Sequence, residues 1–190
     1  FPIADTGQTN CYDSAGNVIT CNEDPAGYPR QDGLWTNKPN ARSYTGPTQH
    51  PTYTTNYTTK DNVTGLVWKS CSEGLSDSNC GTGTVWSLSW DNAQNACANL
   101  NTLNGGAGYA GRTTWRLPSI YELKAIVNYG IYNPAIETVR FPSTLWDNYW
   151  SSSQGAVLPS YAWCIVFNYG ELYNHTKSLN KYVRCVADGP

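Results

Sequence analysis

Ala162-Trp163-Cys164-Ile165-Val166-Phe167-Asn168-Tyr169-Gly170 alternates the bulky Trp163, Ile165 and Phe167 with Cys164 and Val166. A period of two describes a strand with one buried face, so this run predicts a strand whose Cys164 and Val166 point outward. The wider segment, from Tyr149-Trp150-Ser151-Ser152 to Arg184-Cys185-Val186, sets a frame of Trp, Phe, Gly, Arg and Cys against residues with no shared chemistry. Within it, Glu171-Leu172-Tyr173-Asn174-His175-Thr176-Lys177-Ser178-Leu179-Asn180 reads as a loop, with at most a short strand over 172–174. Rigid Tyr beside short, adaptable polar groups is the composition of recognition surfaces. The segment points to binding rather than catalysis.

Composition narrows the field. The 190 residues suffice for one domain with an N-terminal extension. Net charge is −2 and only 14% of residues are charged, so no electrostatic footprint suggests a nucleic-acid partner. No apolar run approaches the roughly 20 residues of a membrane helix, so membrane insertion is not expected. The sequence has no Met and no basic-then-apolar leader, as expected of a mature or trimmed product. Tyr and Trp number 14 and 8 against 3 Phe, which favours half-buried and contact positions. With 17 Gly and 11 Pro, the expectation is a loop-rich domain of short strands and little helix.

Seven cysteines contain no C-x-x-C pair, and His50 and His175 are the only histidines, which disfavours a zinc site. Disulfides in an oxidising compartment are the better reading. Cys11–Cys21 and Cys71–Cys80 enclose Gly- and Asn-bearing turns, and Cys97 with Cys185 then closes a long loop. Cys164 is left over.

Residues 1–60 show no sustained apolar period and are expected to be an irregular segment packed on the domain, with a flexible linker as the competing reading, and 61–190 as the ligand-binding domain. Thr64–Lys69 begins the order as a short strand. Ser89 can cap a helix through about Leu103, with Trp90, Ala93, Cys97 and Leu100 on one face. Ser119-Ile120-Tyr121-Glu122 is a capping box opening a second helix that ends near Gly130, with Ile120, Leu123, Ile126 and Val127 inward. Strands follow at 149–153, 161–167 and 181–186. Two helices and an antiparallel meander make an α+β domain.

Other motifs have ordinary readings. Gly106-Ala107-Gly108-Tyr109-Ala110-Gly111 spells G-x-G-x-x-G but follows a helix, so it reads as a turn and not a dinucleotide site. No G-x-S-x-G elbow, calcium loop or nucleophile beside a histidine is present, and Glu122 and Glu137 read as a helix cap and a solvated carboxylate. The chain is therefore read as no enzyme, with no cofactor. Asn56, Asn62 and Asn174 begin glycosylation sequons. Arg116 and Arg184 lie in apolar runs and are expected to be buried, tying loop carbonyls together; an anion-binding pair is the alternative.

Taken in order, several segments resemble the Legionella collagen-like adhesin C-terminal domain family. They are Asp5-Thr6-Gly7-Gln8-Thr9-Asn10-Cys11-Tyr12-Asp13, Thr64-Gly65-Leu66-Val67-Trp68, and Trp90 with Ala93, Ala96, Cys97 and Leu100. Trp115-Arg116-Leu117-Pro118-Ser119, Tyr149-Trp150-Ser151-Ser152, Ala162-Trp163 with Phe167 and Gly170, and Tyr182-Val183-Arg184-Cys185-Val186 complete the set. The resemblance implies a C-type-lectin-like fold, similar also to formylglycine-generating enzymes: two helices around a small antiparallel sheet with a helix-to-final-strand disulfide. Calcium lectins carry Glu-Pro-Asn and Trp-Asn-Asp; this chain has only Trp146-Asp147-Asn148, so a calcium-bound sugar is not expected. The enzyme's cysteine chemistry has no second free thiol to work with.

Within that fold the chain looks most like the variable proteins of diversity-generating retroelements, whose C-terminal codons are rewritten at adenines. Cys164, Val166, Tyr169, Tyr173, Asn174, His175, Thr176, Ser178 and Leu179 fit the residues reachable from AAC, and Glu171 does not. With Val157, Leu158, Tyr161 and Glu171 they form the expected ligand-binding set. Trp163, Phe167, Gly170, Tyr182, Arg184 and Cys185 would be the fixed frame. The implied partner is a protein or glycan on a target cell surface, met by an extracellular module on a cell or virion. Relatives often trimerise, which leaves a homo-oligomer open. The alternative is a fixed adhesin binding glycans or host matrix, although 12 scattered Lys and Arg give sulfated glycans no basic patch.

Overall fold

The computed structural model describes residues 2–21 and 31–189. Near the start, β1 (Cys11–Tyr12) pairs antiparallel with β2 (Val18–Ile19), and the Cys11–Cys21 disulfide closes this small hairpin. After a 3-10 turn over Asp32–Trp35, β3 (Tyr44–Gln49) pairs with β4 (Tyr57–Asp61), and β4 with β5 (Val67–Lys69). The segment before residue 60 is thus not wholly irregular, and the expected boundary at 60/61 cuts through β4. Residues 44–49 have no apolar alternation and stay half-buried or exposed, so their strand is set by pairing and not by a core face.

β6 (Leu75–Ser76) and β7 (Thr82–Gly83) form a hairpin beside the Cys71–Cys80 disulfide, and β8 (Ser87–Leu88) runs into α1 (Trp90–Asn99). Trp90, Ala93 and Cys97 are buried on one face of α1, as their spacing requires. Ser89 occupies the N-cap, but its hydroxyl makes no capping bond. Leu100–Thr102 continues as a 3-10 turn. The glycines at 106, 108 and 111 then lie at positive φ in further turns, where no βαβ unit exists to make a nucleotide site.

α2 (Ile120–Ala125) opens with the full capping box: Glu122 N–H donates to Ser119 Oγ at 3.3 Å, and Ser119 N–H to Glu122 Oε2 at 2.7 Å. The helix stops at Ala125, short of the expected Gly130, yet Ile126 and Val127 remain buried. β9 (Asn148–Gln154), β10 (Tyr161–Val166), β11 (Glu171–Thr176), β12 (Lys181–Tyr182) and β13 (Val186–Ala187) complete the chain. One sheet runs β11-β10-β9-β12-β8, with β12 parallel to β9; a second runs β13-β5-β4-β3. The single strand expected over 181–186 is therefore two strands in two sheets. Between them, Cys185 joins Cys97 of α1, so all three expected disulfides are present.

Two apolar clusters flank the five-stranded sheet. One gathers Trp90, Cys97, Trp115, Trp150, Ala162, Cys164 and Cys185; the other gathers Trp68, Leu123, Phe141, Tyr149, Ile165 and Phe167. β10 is an inner strand between them, so both of its faces are covered and the one-sided reading of its alternation fails. Arg184 is fully buried and donates to the carbonyls of Lys69 and Ser70 and to the hydroxyls of Ser72 and Thr144, with Phe141 and Tyr149 against its guanidinium. It is the expected tie between loops. Arg116 is not buried: its side chain is 39% exposed and pairs with Glu122 and Asp188. With one guanidinium enclosed and the other neutralised, the two do not form an anion-binding pair. Glu137 pairs with Arg42 rather than standing free in solvent.

Candidate functional site

β10 and β11 form a hairpin with six consecutive pairs, from Tyr161 opposite Thr176 to Val166 opposite Glu171. The run read as a loop over 171–180 is thus mostly strand, built on backbone pairing that its polar side chains do not announce. Gly170 makes the turn: its φ is +80°, and a Cβ there would meet Val127 Cγ1 at 2.3 Å, so any other residue is strained and must displace Val127. β10 is held by its buried Ala162, Cys164 and Ile165, while β11 lies at the sheet edge. Residues 171–174 are exposed, and His175 and Thr176 half-buried.

Opposed residues share a face, so β11 presents two rows. Glu171, Tyr173 and His175 lie on the face of Cys164; Leu172, Asn174 and Thr176 lie on the face of Trp163 and Ile165. The expected contact residues on this strand therefore straddle an edge and do not form one surface. Tyr173 Oη donates to Glu171 Oε2 at 2.9 Å, and this bond raises the phenol's pKa, so it stays protonated. Burial first, and then the Lys181 charge, lower the His175 pKa. At neutral pH the imidazole is uncharged, with one donor and one acceptor to offer.

The remaining candidates group at the two ends of the hairpin, roughly 17–20 Å apart along a six-residue strand. At one end, Val157 and Leu158 are exposed on the β9–β10 loop, Tyr161 is half-buried, and Ser178 and Leu179 are exposed on the β11–β12 turn. The two loops are joined, since Lys177 N–H donates to Ser160 O at 2.9 Å and its Nζ to Gln154 Oε1 at 2.7 Å. The same ammonium lies 4.1 Å from the Trp90 ring centroid. At the other end are half-buried Val166 and exposed Tyr169. Tyr169 stacks on Tyr132, with centroids 6.1 Å apart, and Tyr132 is 69% exposed. Tyr132 was missed from sequence because it lies far from the hairpin in the chain. Asn133 N–H donates to Asn168 O at 3.0 Å and brings its loop against the turn.

Cys164 does not belong to the contact set. It is fully buried, with its thiol directed to Asn148 Oδ1 at 3.2 Å and to Tyr173 O at 3.5 Å. Burial pushes its pKa up to about 12, so it is a protonated core group and no nucleophile. Of the sequon asparagines, Asn174 and Asn62 are exposed, but Asn56 is buried and accepts from Ala110 N–H at 2.9 Å, which closes it to glycosylation. Among the described residues no three His, Cys, Asp or Glu side chains are grouped to hold a metal ion.

Residues 57–187 match the Lcl C-terminal domain family. The chain belongs to that family. The match runs from the first residue of β4 to the last of β13, so it takes in both helices, the whole five-stranded sheet and the hairpin. No curated protein matches the chain significantly. As an Lcl C-terminal domain the chain is an adhesin-type module, and its three disulfides suit an oxidising, extracellular setting. No helix among the described residues is long and apolar enough to cross a membrane.

Proposed function

We propose that this Lcl C-terminal domain is a ligand-binding module and not an enzyme, with its contact surface on β11 and the two hairpin ends. The observation that carries this reading is the contrast between paired strands. β10 buries a residue on each face (Ala162 and Cys164 on one, Ile165 on the other), while β11 beside it exposes four consecutive side chains. Substitution on β11 can therefore change chemistry without removing core contacts. Tyr169 and Tyr173 supply rigid anchors, and Asn174, His175 and Thr176 supply adaptable hydrogen bonds.

The same contrast supports a diversified surface of the retroelement type on a C-type-lectin-like fold, displayed on a microbial or viral surface. Tyr169, Tyr173, Asn174, His175, Thr176, Ser178 and Leu179 fit the AAC substitution set and are exposed or half-buried. Cys164 fits the set but lies in the core, so it is better placed in the frame. A neighbouring imperfect copy of the 150–186 coding segment, differing only at adenines and lying beside a reverse transcriptase gene, is the expected finding. Its absence from the source genome overturns active diversification while leaving the binding surface to be tested by selection.

A fixed glycan-binding adhesin is favoured by one observation, the exposed Tyr132–Tyr169 stack, which offers a flat aromatic platform to a sugar ring. A glycan-array signal lost on Tyr132→Ala and Tyr169→Ala supports that reading; an array without signal removes it.

A further inference from the structure

A cavity of about 390 Å³ lies between residues 3–6 and α2. Its walls are mostly apolar: Ile3, Ala4, Tyr121, Ala125, Val127 and Tyr129. Folded interiors normally close such spaces by collapse. Here the N-terminal strap is pinned too firmly to sink. Asp5 N–H donates to Asn40 O at 2.8 Å, Tyr129 N–H to Thr6 O at 2.8 Å, and Asn40 Nδ2 to Ile3 O at 2.9 Å. Arg42 adds a bond to Asp5 O at 2.8 Å. The cavity is thus preformed, and its size is that of a small-molecule pocket.

The polar lining decides what fits. All five N–H groups of Arg42 are engaged, by Glu137, the carbonyls of Asp5, Val127 and Ala125, and the Tyr44 hydroxyl. The Asp5 carboxylate accepts from Gly7 N–H at 2.7 Å and from Thr6 and Asn37. Neither group is open to a ligand. Lys124 is different: it lines the cavity, is exposed, and has no ion pair or side-chain hydrogen bond among the described residues. It also borders a second hollow of about 310 Å³ floored by Ile120, Trp163 and Leu172. An apolar chamber whose lining includes one uncommitted lysine selects a ligand with an apolar body and one negative end.

We infer that this cavity binds a small amphipathic monocarboxylate, its apolar body under the strap and its carboxylate on Lys124. The lining contains no hairpin residue, but two of its walls back the hairpin turn: Val127 packs on Gly170, and Tyr129 Oη donates to Gly170 O at 3.1 Å. The test is titration of the full chain with phenylpropionate and, in parallel, with phenylpropanol, followed by calorimetry and amide NMR. The acid is expected to bind and to shift the amides of Val127 and Tyr129. Loss of a charge-assisted hydrogen bond should make Lys124→Gln bind it about tenfold more weakly, with phenylpropanol unaffected. Ala125→Leu, which fills the chamber, should abolish binding of the acid, and Ala4→Leu does the same from the strap side if the helix variant fails to fold. Equal affinity for acid and alcohol, or unchanged affinity in Lys124→Gln, overturns the assignment. So does the absence of any shift at about 10 mM acid.

Discussion

The Cys164 thiol points at Asn148 Oδ1, 3.2 Å away across the β10–β9 ladder, and not at solvent. This contact makes the unpaired cysteine a packing group. With its pKa near 12, the thiolate fraction at pH 8 is about one part in ten thousand. Iodoacetamide at that pH is expected to leave the folded protein unmodified and to alkylate one cysteine once denaturant is added. Mass spectrometry of both samples checks this.

The frame and the edge should differ sharply in tolerance. Ile165→Ala removes a fully buried side chain from the core and is expected to cost about 2–5 kcal/mol. Asn174→Ala, on the exposed strand beside it, should stay within about 0.5 kcal/mol of the parent. Urea unfolding of both variants measures the contrast; similar losses would sink the division of the hairpin into support and surface.

Removing the Arg184 side chain leaves the Lys69 and Ser70 carbonyls and the Thr144 hydroxyl without their buried donor. Arg184→Ala should therefore destabilise the domain by about 3–5 kcal/mol. Arg116→Ala, at a half-exposed ion pair, should cost no more than about 1–2 kcal/mol. Parallel denaturation curves give both numbers.

The Cys97–Cys185 bridge spans 88 residues, so chain entropy predicts a loss of about 4–5 kcal/mol for its double alanine variant. The Cys11–Cys21 bridge spans 10, and its loop-closure contribution is smaller by about 2 kcal/mol. Thermal unfolding of the two double variants should preserve this order.

Acid should act on the start of α2. Burial works to raise the Glu122 pKa, but Arg116 and the Ser119 N–H outweigh it and hold the carboxyl below its ordinary value of 4.5. A carboxylate with a depressed folded pKa contributes fully above its unfolded value, and the contribution disappears as pH falls through the folded one. Glu122→Gln is expected to cost about 1–2 kcal/mol at pH 7, and the gap to the parent should narrow below about pH 4.5. Stability measured from pH 7 to pH 3 tests the sign.

Local chemistry carried much of the fold. The capping box at Ser119 and Glu122, the inward face of α1 and the three disulfide pairs were legible because each rests on residues close in sequence or on simple pairing. Cys164 was misplaced because alternation reports that a strand has two faces and not whether both are covered. β3 was missed, and β11 was foreseen only as a short strand over 172–174, because their polar side chains report exposure while their order comes from neighbouring strands. Arg116 lay in an apolar run yet surfaced, since two carboxylates hold it at the rim. Of the candidate site, the hairpin's position was legible. Its partition into two rows and two ends was not, nor was Tyr132, which only tertiary contact brings to Tyr169.

The division of residues 181–187 between two sheets bears on how the chain matures. β12 is the link between β9 and β8, and β13 is the outer strand on β5. A nascent chain halted before Lys181 would have β8 detached from its sheet, β5 open along one side, and Cys97 without its partner. Seven consecutive residues complete both sheets. They are thus the shared seam of the domain, joined to α1 through the long disulfide.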